Sequence, residues 1–329
     1  MKILKKQKLP NNHIGVYLFG LKIFDYKQFV SKFDKIYARR FKGLTDAELK
    51  YCLKYQFKKY TGRRLHIENP ETFNEKLQWL KLYYRNPLMT QCADKVAVRD
   101  YIAKKIGAQY LIPCIGVYNS PDDIDFENMP DKFVLKINWG SGQNIIIKDK
   151  SKMDVKDIKQ KLTDWMCPES NHYFNFFEWG YKDIPPKIIA EKYIEQMDGN
   201  LLDYKFFCFN GVPKYCEIDI DRFTDHKRCF YDMEFNKQPF TTLYPLYKGN
   251  IVKPAGFSTM KKIAKILSSG FPHVRVDLFM VDDKIYFGEM TFCHGAGHEK
   301  FEPEEWNKKL GDLLVLPKDD KYDYIKKSM

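Results

Sequence analysis

No stretch of the 329 residues stays apolar long enough to span a membrane, and no repeat, low-complexity block or disordered tract interrupts them. The nearest candidate, Ile14 to Phe24, is short, carries Lys22 and lacks a small-residue cleavage site, so it reads neither as a signal peptide nor as a membrane span. With the basic start Met1 to Lys8 ahead of it, it leaves room only for peripheral attachment. The expected location is the cytoplasm, at most at the inner face of the membrane.

Cysteine is present, at 52, 92, 114, 167, 208, 216, 229 and 293, but no two positions make a CxxC pair or a compact framework. That excludes a disulfide scaffold and leaves reduced, mostly structural thiols. His294 and His298 have helical spacing, yet the residues between them are Gly295, Ala296 and Gly297, a poor helix. A zinc pair is set aside there in favour of a loop bordering a site. There is also no Walker loop, no serine or cysteine triad, no zinc finger and no ribonucleoprotein aromatic motif. A nucleic-acid partner is therefore not expected.

What the chain does have is a formal net charge of +12, spread along its length, and abundant Tyr and Phe. Such a surface attracts acidic partners without choosing among nucleotides, anionic lipids and acidic sugar polymers.

The most informative stretch runs from Val274 to Phe292. Arg275, Asp277, Phe279 and Val281 share one face of its first strand, and Val274, Val276, Leu278 and Met280 share a wholly apolar other face. A three-residue turn at Asp282, Asp283 and Lys284 would set Asp277 opposite Glu289 and Arg275 opposite Thr291. Two adjacent carboxylates beside a guanidinium are unfavourable on a solvated face and call for a cation. Magnesium is held by one or two carboxylates and completes its shell with water and phosphate oxygens, so the hairpin points to a metal-nucleotide site. The competing reading is a solvated face with a salt bridge.

Ahead of it the first third reads as helical. Thr45 with Glu48 and Thr72 with Glu75 form capping boxes, and Asp94 to Ile106 is expected as one further helix ended by Gly107. Strands follow at Phe133 to Ile137 and Asn144 to Lys148, joined by a loop with Lys136 at its start and Gly140, Ser141 and Gly142 in its middle. Its glycines let backbone amides approach phosphate oxygens. Lys187 to Ile194 reads as a strand turning polar at Glu191 and Lys192, followed by a turn at Asp198-Gly199-Asn200. Asp203 to Phe209 and Pro213 to Asp219 flank the hairpin signal Asn210-Gly211, placing Asp203, Lys205 and Phe207 on one face. A helix at Ser258 to Leu267 feeds the last hairpin. The irregular alternation is that of an α+β protein.

The order of these pieces resembles the ATP-grasp enzymes: a lysine before a glycine loop, the Glu191-Lys192-Tyr193-Ile194 hinge, Lys205 on a strand, then Arg275-x-Asp277 and Glu289-x-Thr291. The likeness is closer to their teichuronopeptide-biosynthesis, TupA-like branch. It is carried by Asn69-Pro70-Glu71-Thr72-Phe73-Asn74-Glu75-Lys76, Trp79, Asp94-Lys95, Arg99, Phe133-Val134-Leu135-Lys136, Asp203-Tyr204-Lys205 and Glu289-Met290-Thr291-Phe292, over a span from about Asp46 to Leu316. The resemblance implies two α+β lobes with a nucleotide between antiparallel sheets. It divides the chain into a helical N-terminal region (1–93), a linker and pre-grasp segment (94–130), a small lobe with the glycine loop (131–194), a large lobe with the metal site (195–316) and a tail (317–329).

It also implies roles. Lys136 meets the α- and β-phosphates, and Gly140, Ser141 and Gly142 close over the triphosphate. Lys192 and Ile194 offer backbone groups to adenine, Glu191 borders the base, and Lys95 marks a basic entrance. Asp277 and Glu289 hold Mg2+, and Arg275 and Lys205 face the transferred phosphoryl group. Thr291 stands where many relatives carry asparagine, and its hydroxyl or backbone would still reach the metal shell, so that the metal set is Asp277, Glu289 and Thr291.

The activity implied is an ATP-dependent carboxylate-amine ligase working through an acyl phosphate. Its acid would be a uronic acid or glutamate unit of a capsular or cell-wall polysaccharide, and its other partner a small amine. Tyr173, Phe174, Phe176, Phe177, Trp179 and Tyr181 line either a sugar platform or the core. The rivals are a kinase of a sugar hydroxyl, a glycosyltransferase with a donor site at Asp219-Ile220-Asp221 (otherwise a solvated strand end), and a basic polyanion-binding module.

Overall fold

In the computed structural model, the structure describes residues 4–9, 13–18, 21–27, 31–194, 202–221 and 224–317. The turn expected at Asp198-Gly199-Asn200 and residues 318–329 of the tail lie outside the described residues. The chain forms two compact units, 1–56 and 57–329. None of the helices described is long and apolar enough to cross a membrane.

The first unit corrects the expectation of an all-helical N-terminus. It opens with strands β1 (Leu4–Leu9), β2 (His13–Leu18) and β3 (Leu21–Lys27), paired antiparallel in the order β1-β2-β3. The sequence reason is the share of β-branched and aromatic residues at Ile14, Val16, Tyr17, Ile23, Phe24 and Tyr26. Helix α1 (Lys32–Tyr37) follows, capped by Ser31, whose side chain accepts from the Asp34 amide. The unit boundary falls inside α2 (Asp46–Thr61), which opens on the expected Thr45–Glu48 capping box.

The second unit begins its regular structure with α3 (Phe73–Tyr83), capped reciprocally by Thr72 and Glu75. The helix expected over Asp94 to Ile106 starts only at Val98, as α5 (Val98–Lys105); a separate helix, α4 (Pro87–Ala93), precedes it, with Asp94 and Lys95 in the break between the two. Asn86 caps α4 and Pro87 starts it, while the Asp94 carboxylate turns away to accept from the Val96 amide and Asn138 Nδ2. Those bonds keep Asp94 out of helical conformation and pin the break to the loop after Ile137.

A four-stranded sheet follows, built from β4 (Cys114–Tyr118), β5 (Phe133–Ile137), β6 (Asn144–Ile147) and β7 (Ile188–Lys192) in the order β4-β7-β5-β6. Between β6 and β7 lie α6 (Val155–Trp165), whose Ile158 and Leu162 are buried, and the short α7 (His172–Phe176).

The larger sheet contains β8 (Asp203–Phe209), β9 (Val212–Ile220), β10 (Lys227–Asp232) and β11 (Lys237–Gln238), and then, after α8 (Phe257–Ser268), β13 (His273–Val281) and β14 (Lys284–Thr291). A small bridge pairs β12 (Thr241–Thr242) with β15 (Phe301–Glu302), and α9 (Glu305–Leu313) closes the unit. The order is β11-β10-β9-β8-β13-β14, antiparallel throughout.

One face of this sheet buries Phe206, Ile218, Val274, Val276 and Leu278 in the same core as Met260, Ile263 and Leu267 of α8. The other face is divided. Its lower half, Phe207, Phe209 and Phe230, packs with Phe73 and Leu77 of α3, Leu310 of α9, and the stacked Phe240 and Trp306. Its upper half is polar.

In the β13–β14 hairpin Asp277 pairs with Glu289 and Arg275 with Thr291, as the sequence predicts, but by another route. The turn has two residues, Asp282 and Asp283, both left-handed (φ 48° and 59°), with Val281 opposite Lys284. The missing residue returns as a bulge at Gly288, between the Leu278–Phe287 and Asp277–Glu289 pairs. A Cβ at Gly288 would stand 3.0 Å from the Asp277 carbonyl oxygen, which is why a glycine sits there.

His273, at the start of β13, is buried; its Nδ1 donates to the Cys208 carbonyl at 3.0 Å and its ring packs edge-on against Phe73. Burial and the neighbouring His294 push its pKa down to about 3. The unfolded chain, with an ordinary histidine pKa of about 6.5, then binds a proton that the folded chain refuses, so folding stability is lost as pH falls below that value. Between about pH 7 and pH 5 this one residue should cost about 2 kcal/mol. Urea denaturation at both pH values should show that drop in the parent, and a drop smaller by about that amount in His273→Phe. Equal drops in the two proteins would refute the assignment.

Candidate active site

The sequence puts charges at every second residue of three neighbouring strands, and the antiparallel register brings them together on the upper half of the large sheet. Lys205 of β8 pairs with Asp277 of β13 on one side and Glu217 of β9 on the other, and Asp219 pairs with Arg228 of β10. They line a cleft of about 1480 Å3, whose other wall carries Lys95, Lys136, Gly140, Ser141, Gly142 and Glu191.

Arg275 is the centre of this face. Its Nε and Nη2 grip the two oxygens of Asp277 at 2.7 and 2.6 Å, and Nη2 also reaches Glu289 Oε1 at 2.9 Å. Burial raises Asp277; Arg275 opposes this and the adjacent Glu289 adds to it, leaving Asp277 up at about 6. Glu289 is raised by burial too, but Arg275 and Lys95 overcome that and hold it down at about 2. The Thr291 hydroxyl donates to Glu289 Oε1 at 2.9 Å and so fixes that carboxylate.

Beside this group, Lys205 Nζ lies 2.5 Å from Asp219 Oδ2 and 3.6 Å from Asp203. Arg228 contacts Asp219 at 2.8 Å, Glu217 at 3.2 Å and Glu299 at 3.3 Å. Burial alone would raise Asp219, yet Lys205 and Arg228 keep it well below the carboxylate range. Burial would lower Lys205, but Asp203 and Asp219 hold it raised.

On the opposite wall Lys136 Nζ lies 2.7 Å from Glu191 and Arg99 lies 2.9 Å from the same carboxylate. Lys95, in the break between α4 and α5, sends its ammonium 2.7 Å from the Gly140 carbonyl, and burial lowers its pKa. Half-buried on the wall of the cleft, it tethers the glycine loop. Gly140 and Gly142 both have left-handed φ, 76° and 73°.

A family model described as TupA-like ATP-grasp matches residues 75–315, most of the length of the chain and every residue of both walls named so far. The chain belongs to the TupA-like ATP-grasp family.

Solved ATP-grasp ligases resemble it only distantly. D-alanine–D-alanine ligase from Bacillus anthracis, solved with ATP, is 16% identical over 79% of this chain and 76% of its own, with a TM-score of 0.41. Phosphoribosylamine–glycine ligase from Thermotoga maritima is 11% identical over 62% of this chain and 48% of its own, at 0.38. L-amino acid ligase from Bacillus licheniformis is 13% identical over 65% and 44%, also at 0.38. The chain thus spans about half the length of the last two. No curated protein sequence matches it. The assignment rests on the family model.

Of the predicted site residues, Arg275, Lys205, Asp277, Glu289, Thr291, Lys95, Lys136, Gly140, Ser141, Gly142 and Glu191 all line the one cleft. Lys192 and Ile194 do not line it. The Lys192 amide bonds the Pro113 carbonyl at 2.9 Å, and Ile194 packs on a small apolar cluster of Ile112, Phe279 and Val281, of which Ile112 and Phe279 reach the cleft. From the aromatic segment Phe176 and Tyr181 reach the cleft, while Phe177 is buried.

Three groups escaped the sequence reading. Glu217 and Arg228 are buried in the ion network; the alternation Tyr215, Glu217, Asp219 along β9 is the signal that could have found the strand's polar face. Asp219, expected on a solvated strand end, is instead buried beneath Lys205 and Arg228. His294 belongs to the glycine-rich turn that was expected to border a site, Glu299 follows two residues after that turn, and both line the cleft. Among the described residues there is no cluster of three or more His, Cys, Asp or Glu disposed to hold a metal ion.

A Cβ at Gly142 meets nothing within 4 Å, so Gly142→Ala isolates the backbone requirement of the loop. A left-handed alanine costs about 1 kcal/mol, and ATP affinity measured by titration calorimetry should fall up to ~5-fold with little change in melting temperature. Unchanged affinity would mean that the loop does not need this conformation to hold nucleotide.

Proposed function

We propose that the enzyme activates a carboxylate as an acyl phosphate and transfers it to an amine. The carrying observation is that paired acids, two cations and a glycine loop converge on the two walls of one cleft. In this reading a substrate carboxylate oxygen attacks the γ-phosphorus of ATP and ADP departs. The amine then attacks the acyl carbon, phosphate leaves, and the amine nitrogen gives up a proton as the amide forms.

The chain's own part is positioning and charge neutralisation, which phosphoryl transfer chiefly demands. Lys136 is placed for the α- and β-phosphates once ATP draws it from Glu191, and the 140–142 loop for covering the triphosphate. Backbone groups of Lys192 and Ile194 are assigned to the adenine edge, with Ile112 and Phe279 as apolar walls for the base. Arg275 and Lys205 are assigned to the transferred phosphoryl group.

Mg2+ fits this donor set. Asp277 and Glu289 are carboxylates lying side by side in the register on the wall of the cleft, the hard oxygen donors that magnesium takes together with phosphate oxygens and water. These two would hold the ion, with Thr291 orienting Glu289; when bound it supplies charge neutralisation for the phosphates.

The acid is assigned to a uronic acid or glutamate unit of a capsular or cell-wall polysaccharide precursor, taken up from the cytoplasm or the inner membrane face. The net charge of +12 suits an acidic polymer, and the family association points to cell-surface polymers.

An ATP-to-ADP assay across a matrix of uronic acids and amines tests this. Turnover should need both an acid and an amine and yield free phosphate, and Asp277→Asn and Glu289→Gln should each lower kcat by at least ~100-fold, as for loss of a major electrostatic group. A phosphorylated product without amide would favour the kinase reading. Intact magnesium-dependent turnover in either variant would refute the metal assignment.

A further inference from the structure

The function just proposed uses Arg275 but leaves unexplained what holds its free edge. Asp277 takes Nε and one face of Nη2, and Glu289 takes Nη2 again. The remaining nitrogen, Nη1, lies 2.9 Å from His294 Nδ1, and the other ring nitrogen of His294 lies 2.9 Å from Glu299 Oε2. A guanidinium has donors only, so His294 Nδ1 must accept. An ionised carboxylate has acceptors only, so His294 Nε2 must carry the hydrogen and donate to Glu299. The two contacts therefore fix one tautomer of a neutral imidazole.

The ring is itself immobilised. His294 is buried, and its edge meets Phe207 at 4.7 Å between ring centres. It starts the turn His294–Gly297, in which Gly295, Ala296 and Gly297 are all left-handed. For Ala296, with φ 52°, that is a strained state that must be imposed from outside. Gln78 and Lys81 of α3 impose it by donating to the Ala296 carbonyl at 3.0 and 2.7 Å, and Gln78 also reaches the Gly297 carbonyl.

Glu299, beyond the imidazole, is held by Arg228 at 3.3 Å, and Arg228 shares Asp219 with Lys205. The two cations assigned to the transferred group are thus the ends of one hydrogen-bonded chain through His294.

We propose that His294 is the positioning residue for Arg275: acting as acceptor at Nδ1 and donor at Nε2, it sets the plane of the guanidinium without touching substrate. The role rests on the ligase reading, but its geometry can be tested apart from turnover. His294→Phe keeps the ring and deletes both bonds; His294→Asn can restore an oxygen acceptor toward Arg275.

In the phenylalanine variant kcat should fall about 10- to 100-fold, the range for loss of a residue that orients a functional group, while KM for ATP stays within about twofold. The asparagine variant should recover a substantial part of kcat. Long-range proton–nitrogen NMR of the parent, labelled with 15N-histidine, should show His294 protonated at Nε2 and bare at Nδ1.

A kcat near the parent's in His294→Phe, a matching rise in KM for ATP, no recovery in His294→Asn, or the opposite or doubly protonated imidazole would each overturn the proposal. If no acid and amine support turnover in the parent, the ligase reading fails, and the tautomer alone then decides the geometry on which this proposal stands.

Discussion

The guanidinium of Arg275 is what allows the rest of the site to exist. Antiparallel pairing forces Asp277 and Glu289 side by side, and like charges opposite one another weaken a sheet. Arg275, two residues from Asp277 on the same face, bonds both acids at once and converts a repulsion into a buried ion cluster. Removing one member of such a cluster typically costs about 3–5 kcal/mol, because its partners are left buried and uncompensated.

The two walls of the cleft are built on different principles. On the large sheet, cations and acids interlock through Lys205, Asp219, Arg228 and Glu299, each held by several partners. On the small sheet, Lys136 and Arg99 converge on the single carboxylate of Glu191, and the glycine loop is held by Lys95 at the Gly140 carbonyl and by Gln143 and Trp139 at the carbonyls of Ser170 and Trp165. A triphosphate would find a preformed, crowded wall on one side and a wall of exchangeable bonds on the other.

Much of this was legible in the sequence because local chemistry and global register agree. Asn210-Gly211 announces the β8–β9 hairpin, Thr72 and Glu75 announce α3, and the alternation around Asp277 announces which side chains face the cleft. The hairpin register was reached by counting one residue too many in the turn and none in the bulge, two errors that cancel at Asp277 because both change the count by one. The break at Asp94 was hidden because its cause, bonds to Asn138, lies more than 40 residues away. The buried network of Glu217, Arg228 and Glu299 was hidden because alternating charges look the same on a solvated strand and in a buried ion cluster. The N-terminal strands were missed because the helical signal of the capping boxes at Thr45 and Thr72 was extended over the whole of residues 1–93.

On β8, Lys205 and Phe207 are successive residues of one face, the first in the cleft and the second in the aromatic core with Phe73 and Phe230. No seam separates the catalytic wall from the packing that folds the unit. Fraying of this wall would have to open the core as well, so under gradual denaturation the large-sheet half of the site should melt in the same cooperative step as the whole unit, whereas the glycine loop is free to open below that threshold.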